Sequence, residues 1–71
     1  MAEDVRAPLA GTIMSVLVEA GGKVAVDDEI LVIEALKMEN FVYAPCAGTV
    51  KEVKVKVGDK VEEDAVLMVI E

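Results

Sequence analysis

The sequence predicts an all-β domain, a flattened barrel or sandwich of two four-stranded antiparallel sheets with quasi-two-fold symmetry. The main observation is an internal repeat. Residues 7–34 and 44–71 align without a gap at an offset of 37 residues, and 14 of the 28 aligned positions are identical. Hydrophobic residues make up 55% of the chain but aromatic residues only 3%, so the core must come from Val, Ile, Leu and Ala, which suits strands. Two halves this small cannot each close a core, and we expect them to pack on each other.

The individual strands are predicted from the hydrophobic pattern. Val53–Val57 reads VKVKV, the period of a strand with one solvated face, and Val16–Ala20 is its counterpart in the first half. Each half closes with a short apolar run, Ile30–Ile33 or Leu67–Ile70. No stretch has a convincing helical period, and we expect about eight short strands, four in each half.

Turns are predicted at equivalent places in the two halves. Glycine and aspartate are residues that adopt positive φ at low steric cost, and proline marks the edge or the entry of a strand because it cannot donate to the ladder. These signals fall at Gly21-Gly22 and Gly58-Asp59, at Asp27-Asp28 and Asp64, and at the Ala-Pro pairs 7–8 and 44–45.

The repeat leaves residues 35–43 unexplained. This stretch reads as a β-hairpin with Leu36 and Lys37 at its tip, although a tight hairpin turn favours Asn-Gly or Asp-Gly. Leu36 and Met38 would expose apolar side chains on either side of a protruding ammonium group. The turn residues and the exposed apolar side chains both depart from what local structure favours, and neither departure brings a structural gain. Such departures are typical of functional segments, so we expect the functional site here.

The residues of this junction resemble a known attachment motif. Residues 34–40 read E-A-L-K-M-E-N, which is similar to the E-A-M-K-M-E-[NT] motif of biotin carboxyl carrier domains, and the resemblance extends over the whole chain. It implies the biotinyl/lipoyl-domain fold, with biotin amide-linked to Lys37. It also implies that a biotin protein ligase recognises Leu36, Met38 and Glu34. Glu71 occupies the place equivalent to Glu34 with no lysine close to it in the sequence, so the repeat itself favours a different role for Glu34, that of ending a strand.

The resemblance implies a non-catalytic carrier that works with a biotin carboxylase and with a carboxyltransferase or decarboxylase. Residues 1–71 would form a single domain with an attachment hairpin at 35–43, and the gapless repeat leaves no room for the thumb that some carriers insert. Two departures from the family pattern are Leu36, where methionine is usual, and the aspartates at 27 and 64, where glycine is frequent. The alternatives are a lipoyl carrier of a 2-oxoacid dehydrogenase complex, which usually has an acidic residue before the lysine and alanine after it, and an unmodified structural or adaptor module.

Composition narrows the remaining possibilities. The net charge of −7 argues against nucleic acid or an anionic membrane surface as partner. The chain has no histidine, so we expect neither a metal site nor a catalytic residue. The single cysteine, Cys46, fits a reducing compartment, and there is no apolar run of membrane-spanning length and no visible leader. The expected location is the cytoplasm.

The two halves differ in the chemistry of one set of outward positions. Lys51, Lys54, Glu62 and Glu63 of the second half correspond to Met14, Leu17, Ala25 and Val26 of the first. Four such replacements predict a patch on the first half that a partner enzyme, or another part of a longer chain, covers in use.

Overall fold

The computed structural model describes residues 2–71, which form eight strands in two four-stranded antiparallel sheets. The predicted fold class is therefore confirmed. The strands are β1 (Glu3–Arg6), β2 (Gly11–Val16), β3 (Lys23–Val24), β4 (Glu29–Ala35), β5 (Met38–Tyr43), β6 (Gly48–Val53), β7 (Lys60–Val61) and β8 (Val66–Ile70). Within the described part of the chain, no helix is long and apolar enough to cross a membrane.

The two sheets exchange strands between the halves of the repeat. One sheet has the order β1-β8-β6-β3 and is called the terminal sheet here; the other has the order β5-β4-β2-β7 and is called the hairpin sheet. Strands β1 and β3 of the first half thus join β6 and β8 of the second, and strands β5 and β7 of the second half join β2 and β4 of the first. Because each sheet takes two strands from each half, the halves are interlocked.

The core lies between the two sheets and is aliphatic. Its fully buried side chains come from both sheets, and no polar or charged side chain among residues 2–71 is buried. The largest of them are Ile13, Ile30, Leu31, Ile33, Val50, Leu67, Met68 and Ile70. Burial of this apolar surface is the main stabilising term, at roughly 1.5–3 kcal/mol for each such side chain.

The turns between the strands have the predicted backbone conformations. Gly21 and Gly58 have φ of 91° and 96°, and Asp27 and Asp64 have φ of 70° and 74°. Aspartate tolerates the left-handed region that most side chains avoid, so it can stand where glycine is frequent.

The Asp turns also connect the two halves. The Ala7 amide donates to the Ala65 carbonyl at 2.8 Å, and the Ala44 amide donates to the Asp28 carbonyl at the same distance. Residues 7 and 44 are equivalent in the repeat, as are residues 28 and 65. The chain at the end of β1 and at the end of β5 is therefore held by a turn of the opposite half.

The strand positions predicted from strict alternation are wrong by several residues. β2 ends at Val16 and β6 ends at Val53, so most of 16–20 and 53–57 lies beyond the ladders. One backbone bond continues each strand, from Leu17 N to Ile30 O and from Lys54 N to Leu67 O, both 2.9 Å. Val18 and Val55 still pack against the core, which explains the alternation of apolar and polar residues. After these positions, however, the backbone no longer pairs with the adjacent strand, because the chain turns away toward the glycine turn.

Candidate functional site: the lysine hairpin

A two-residue turn places Leu36 and Lys37 at the tip of the β4–β5 hairpin. Ala35 and Met38 are the last paired residues, and the ladder continues through Glu34–Glu39 and Ile33–Asn40. Leu36 has φ of 53° and Lys37 has φ of 64°. Two consecutive residues with positive φ are the signature of a type I′ turn, whose twist matches that of the flanking strands. The side chain of Lys37 therefore leaves the body of the domain at its extremity.

Leucine and lysine are unfavourable residues for the backbone conformation of this turn. A residue with a Cβ atom in the left-handed region carries a strain of about 1–2 kcal/mol, and neither leucine nor lysine has a short polar side chain to offset it. The paired strands β4 and β5 hold the turn against this strain. Strain that the surrounding structure enforces is typical of functional segments.

The side chains at the tip are exposed to solvent. Leu36 is 94% exposed and Met38 is 66% exposed. Lys37 is exposed as well, and it has no ion pair with any residue in the described range 2–71. The tip thus presents a free ammonium group between two apolar side chains, which an incoming protein can contact without displacing any intramolecular partner.

Asn40 braces the hairpin from within. Its Nδ2 donates to the Met38 carbonyl at 3.2 Å and to the Ile33 carbonyl at 3.5 Å, on either side of the turn. Side-chain amides that bond to nearby backbone in this way fix local geometry. Of the motif residues after Lys37, Asn40 therefore has a structural role, whereas the side chain of Glu39 is exposed.

A polar row crosses the hairpin sheet one step below the tip. Glu39 pairs with Glu34, Glu34 with Thr12, and Thr12 with Lys60 of β7. Thr12, Glu34 and Lys60 line a shallow groove of about 460 Å³ that also reaches Lys37. Two carboxylates directly opposite each other on one face repel, so the pair Glu34–Glu39 gives no structural gain. Neither Thr12 nor Lys60 stands out in the sequence, because only the pairing of β2 with β7 brings them beside the hairpin.

Glu34 differs from its counterpart Glu71. Glu71 pairs with Lys51 at 3.6 Å, but the residue equivalent to Lys51 is Met14, and Glu34 has no ion pair among residues 2–71. Glu34 is the penultimate residue of β4, which runs to Ala35, and Glu71 directly follows β8. Both residues thus lie at a strand end, and Glu34 differs in that its carboxylate stays unpaired beside the hairpin tip.

Gly11 lets β2 approach the base of the hairpin. A Cβ atom at this position would overlap the Glu34 carbonyl oxygen and the Ile33 side chain. The same close approach recurs at Gly48, whose Cβ would lie 2.8 Å from the Glu71 carbonyl oxygen. These two glycines are therefore part of the shared scaffold.

Among the described residues, no cluster of three or more His, Cys, Asp or Glu side chains could hold a metal ion. The tip of the hairpin carries a single lysine on a support of paired strands. It is suited to carrying a covalently attached group.

A small two-sheet β domain that displays one lysine at a type I′ hairpin defines a class of carrier domains. The chain belongs to the family described as "Biotin-requiring enzyme" (Biotin_lipoyl), whose model matches residues 3–70. This family assignment agrees with the resemblance seen in the sequence. No curated protein matches the chain significantly.

Two solved structures show the same fold. The chain is similar to the urea carboxylase of Kluyveromyces lactis, with a TM-score of 0.93 and 31% identity over 100% of this chain and 6% of that one. It is also similar to a single-chain, multi-domain long-chain acyl-CoA carboxylase, with a TM-score of 0.88 and 34% identity over 96% of this chain and 7% of that one. The chain thus spans only a small part of the length of these carboxylases.

Proposed function

We propose that the chain is a biotin carboxyl carrier and that Lys37 is the residue to which biotin is amide-linked. The observation that carries this proposal is the position of Lys37 in a strained two-residue turn between the exposed side chains of Leu36 and Met38. The surroundings fit a tethered group, because nothing in the described part of the chain covers the tip or neutralises the amine.

The flanking residues favour biotin over lipoate. Lipoyl domains usually carry an acidic residue before the lysine and alanine after it, whereas here Leu36 and Met38 occupy these places. Both structural neighbours are carboxylases. We propose that Leu36, Met38 and the unpaired carboxylate of Glu34 form the surface that a biotin protein ligase recognises.

The domain contributes position and reach to the reaction. Biotin, once attached, supplies a ring nitrogen that takes up and gives back CO2, and the protein is not itself a catalyst. Lys37 links this group to a rigid hairpin, so that the carrier can present it at the active site of a biotin carboxylase and then at that of a carboxyltransferase or decarboxylase. Tethering replaces free diffusion of the cofactor with a high effective concentration at each site.

Co-expression with a biotin ligase, and separately with a lipoate ligase, tests this assignment. We expect the intact mass to increase by one biotin less one water with the first enzyme and to stay unchanged with the second. The variant Lys37→Arg keeps the charge and removes the acceptor amine, and it should gain no mass with either. Modification by the lipoate ligase alone would identify a lipoyl carrier, and no modification by either would favour an adaptor module.

A further inference from the structure

The outer faces of the two sheets carry opposite chemistry at positions that the repeat relates. The terminal sheet bears three surface ion pairs: Arg6–Asp4 at 3.4 Å, Lys51–Glu71 at 3.6 Å and Lys54–Glu52 at 3.6 Å. These are the ion pairs of residues 2–71, and the hairpin sheet has none. These six charges of the terminal face are therefore paired within the domain.

The equivalent positions of the hairpin sheet have lost almost all of this charge. At the offset of 37 residues, the replacements are Phe41 for Asp4, Tyr43 for Arg6, Met14 for Lys51, Ser15 for Glu52, Leu17 for Lys54 and Glu34 for Glu71. Glu34 is the one charged residue that remains. Of the four outward positions that the sequence comparison selected, Met14 and Leu17 extend along this face, whereas Ala25 and Val26 lie in the turn after β3.

Val32 marks the centre of this face. It is only 6% exposed, yet it is not part of the core between the sheets. Its neighbours across the strands are Phe41 and Ser15. Val32 is thus covered from outside the sheet, and it forms an outer apolar face together with Met14, Leu17, Phe41 and Tyr43.

This face is exposed and bordered by acidic residues. Met14, Leu17, Phe41 and Tyr43 are all substantially solvated, with Phe41 43% and Tyr43 51% exposed. Glu29 lies opposite Tyr43 at one border. At the border next to Lys37, the pair Glu34–Glu39 lies in one row with Thr12 and Lys60, so that three carboxylates stand against one further ammonium group. None of these three carboxylates has an ion pair within the described range.

The charge of this border indicates which kind of surface can bind to the face. A second copy of the chain would bring acidic borders together at a net charge of −7 on each copy, which disfavours self-association. A surface with an apolar centre and a basic border is complementary to it.

We propose that the outer apolar face docks on the catalytic domain that acts on the group carried by Lys37, through a partner surface whose apolar centre is bordered by Lys or Arg side chains. This inference rests on the carrier role proposed above. Phe41 is four residues from Lys37 along the hairpin, about 14 Å at the rise of a strand. A domain seated on the face therefore lies close to the lysine without covering it, and the tethered group keeps its freedom to enter an active site.

Grafting the terminal face onto the hairpin sheet tests this docking. Phe41→Asp with Tyr43→Arg copies the pair Asp4–Arg6, and the single variant Leu17→Lys copies Lys54 without giving Glu34 an ion-pair partner. The residues introduced are those that already surround the equivalent Val69, so the graft fits the scaffold. The matched control is Glu52→Ala with Lys54→Ala on the terminal face, because Asp4 and Arg6 line one groove with Phe41 and Tyr43 whereas this ion pair does not.

Each variant is made in the complete carboxylase that carries this chain, and biotin occupancy by intact mass is measured together with turnover and its dependence on ionic strength. We expect full biotinylation in every variant, about a tenfold loss of turnover in the Phe41→Asp/Tyr43→Arg graft, and wild-type turnover in the control. When the wild-type carrier is subsaturating, turnover should fall as the salt concentration rises. The reason is that salt screens the attraction between the acidic border of this face and the basic border of the partner.

Two results would overturn the docking proposal while leaving the carrier role intact: full biotinylation with turnover within twofold of wild type, or a loss of biotinylation itself, which would assign the face to the ligase. If wild type acquires no biotin at all, the carrier role fails instead. Should the double graft show no cooperative unfolding transition, Leu17→Lys alone decides, since it changes a single surface side chain and leaves Glu34 unpaired.

Discussion

Replacing Leu36 by asparagine is expected to make the domain more stable and a poorer substrate for modification. Leu36 has φ of 53° and its side chain is 94% exposed, so the substitution relieves strain and removes no packing. The left-handed conformation costs leucine about 1–2 kcal/mol, and asparagine, which enters this region readily, should recover roughly half of that. For a domain of this size, each kcal/mol corresponds to about 4–8 °C in Tm, and we expect an increase on the order of 5 °C.

Thermal and urea unfolding followed by circular dichroism measure this effect on the unmodified domain. Leu17→Asn is the matched control, because Leu17 is also an exposed leucine but is not among the described residues with positive φ. It should leave Tm unchanged or lower it. In the same preparation, biotinylation of Leu36→Asn by the ligase should be slower than that of wild type. A Tm equal to or below that of wild type would refute the reasoning that the turn is strained.

Three further substitutions test other parts of the account. Gly11→Ala should destabilise the domain by about 1–3 kcal/mol in urea unfolding, because the new Cβ overlaps the Glu34 carbonyl; an unchanged midpoint would mean that β2 can move away. Asn40→Ala removes the brace across the hairpin and should cost about 0.5–1.5 kcal/mol, with faster amide hydrogen exchange confined to residues 34–41. Leu31→Ala opens a cavity in the core and should cost about 2–5 kcal/mol without slowing modification of Lys37 in the folded fraction; selective loss of modification would link the core to the tip.

The architecture could be predicted because the repeat and the turn chemistry point to the same fold. The apolar runs at 30–33 and 67–70 became the central strands β4 and β8, and the Asp and Gly turns have the expected positive φ. The limits of β2 and β6 could not be predicted from alternation, because Val18 and Val55 face the core from extended chain that no longer pairs in a ladder.

Other features depend on pairing that no local pattern reveals. The exchange of β3 and β7 between the sheets brings Lys60 into the groove beside Lys37, and the bonds of Asn40 require the two sides of the hairpin to be in register. Phe41 and Tyr43 could have been found by extending the offset of 37 residues upstream, where they align with Asp4 and Arg6. The unpaired state of Glu34 follows from the same comparison, since Met14 replaces the lysine that neutralises Glu71.

The central claim is that one lysine of this chain, Lys37, carries biotin. Peptide mapping by tandem mass spectrometry of material purified from the native host tests it most directly, because the other lysines of the chain serve as internal controls. We expect a biotin adduct on the peptide that contains Lys37 and on no other. An unmodified Lys37 in native material, or biotin on Lys60 across the groove, would contradict the account.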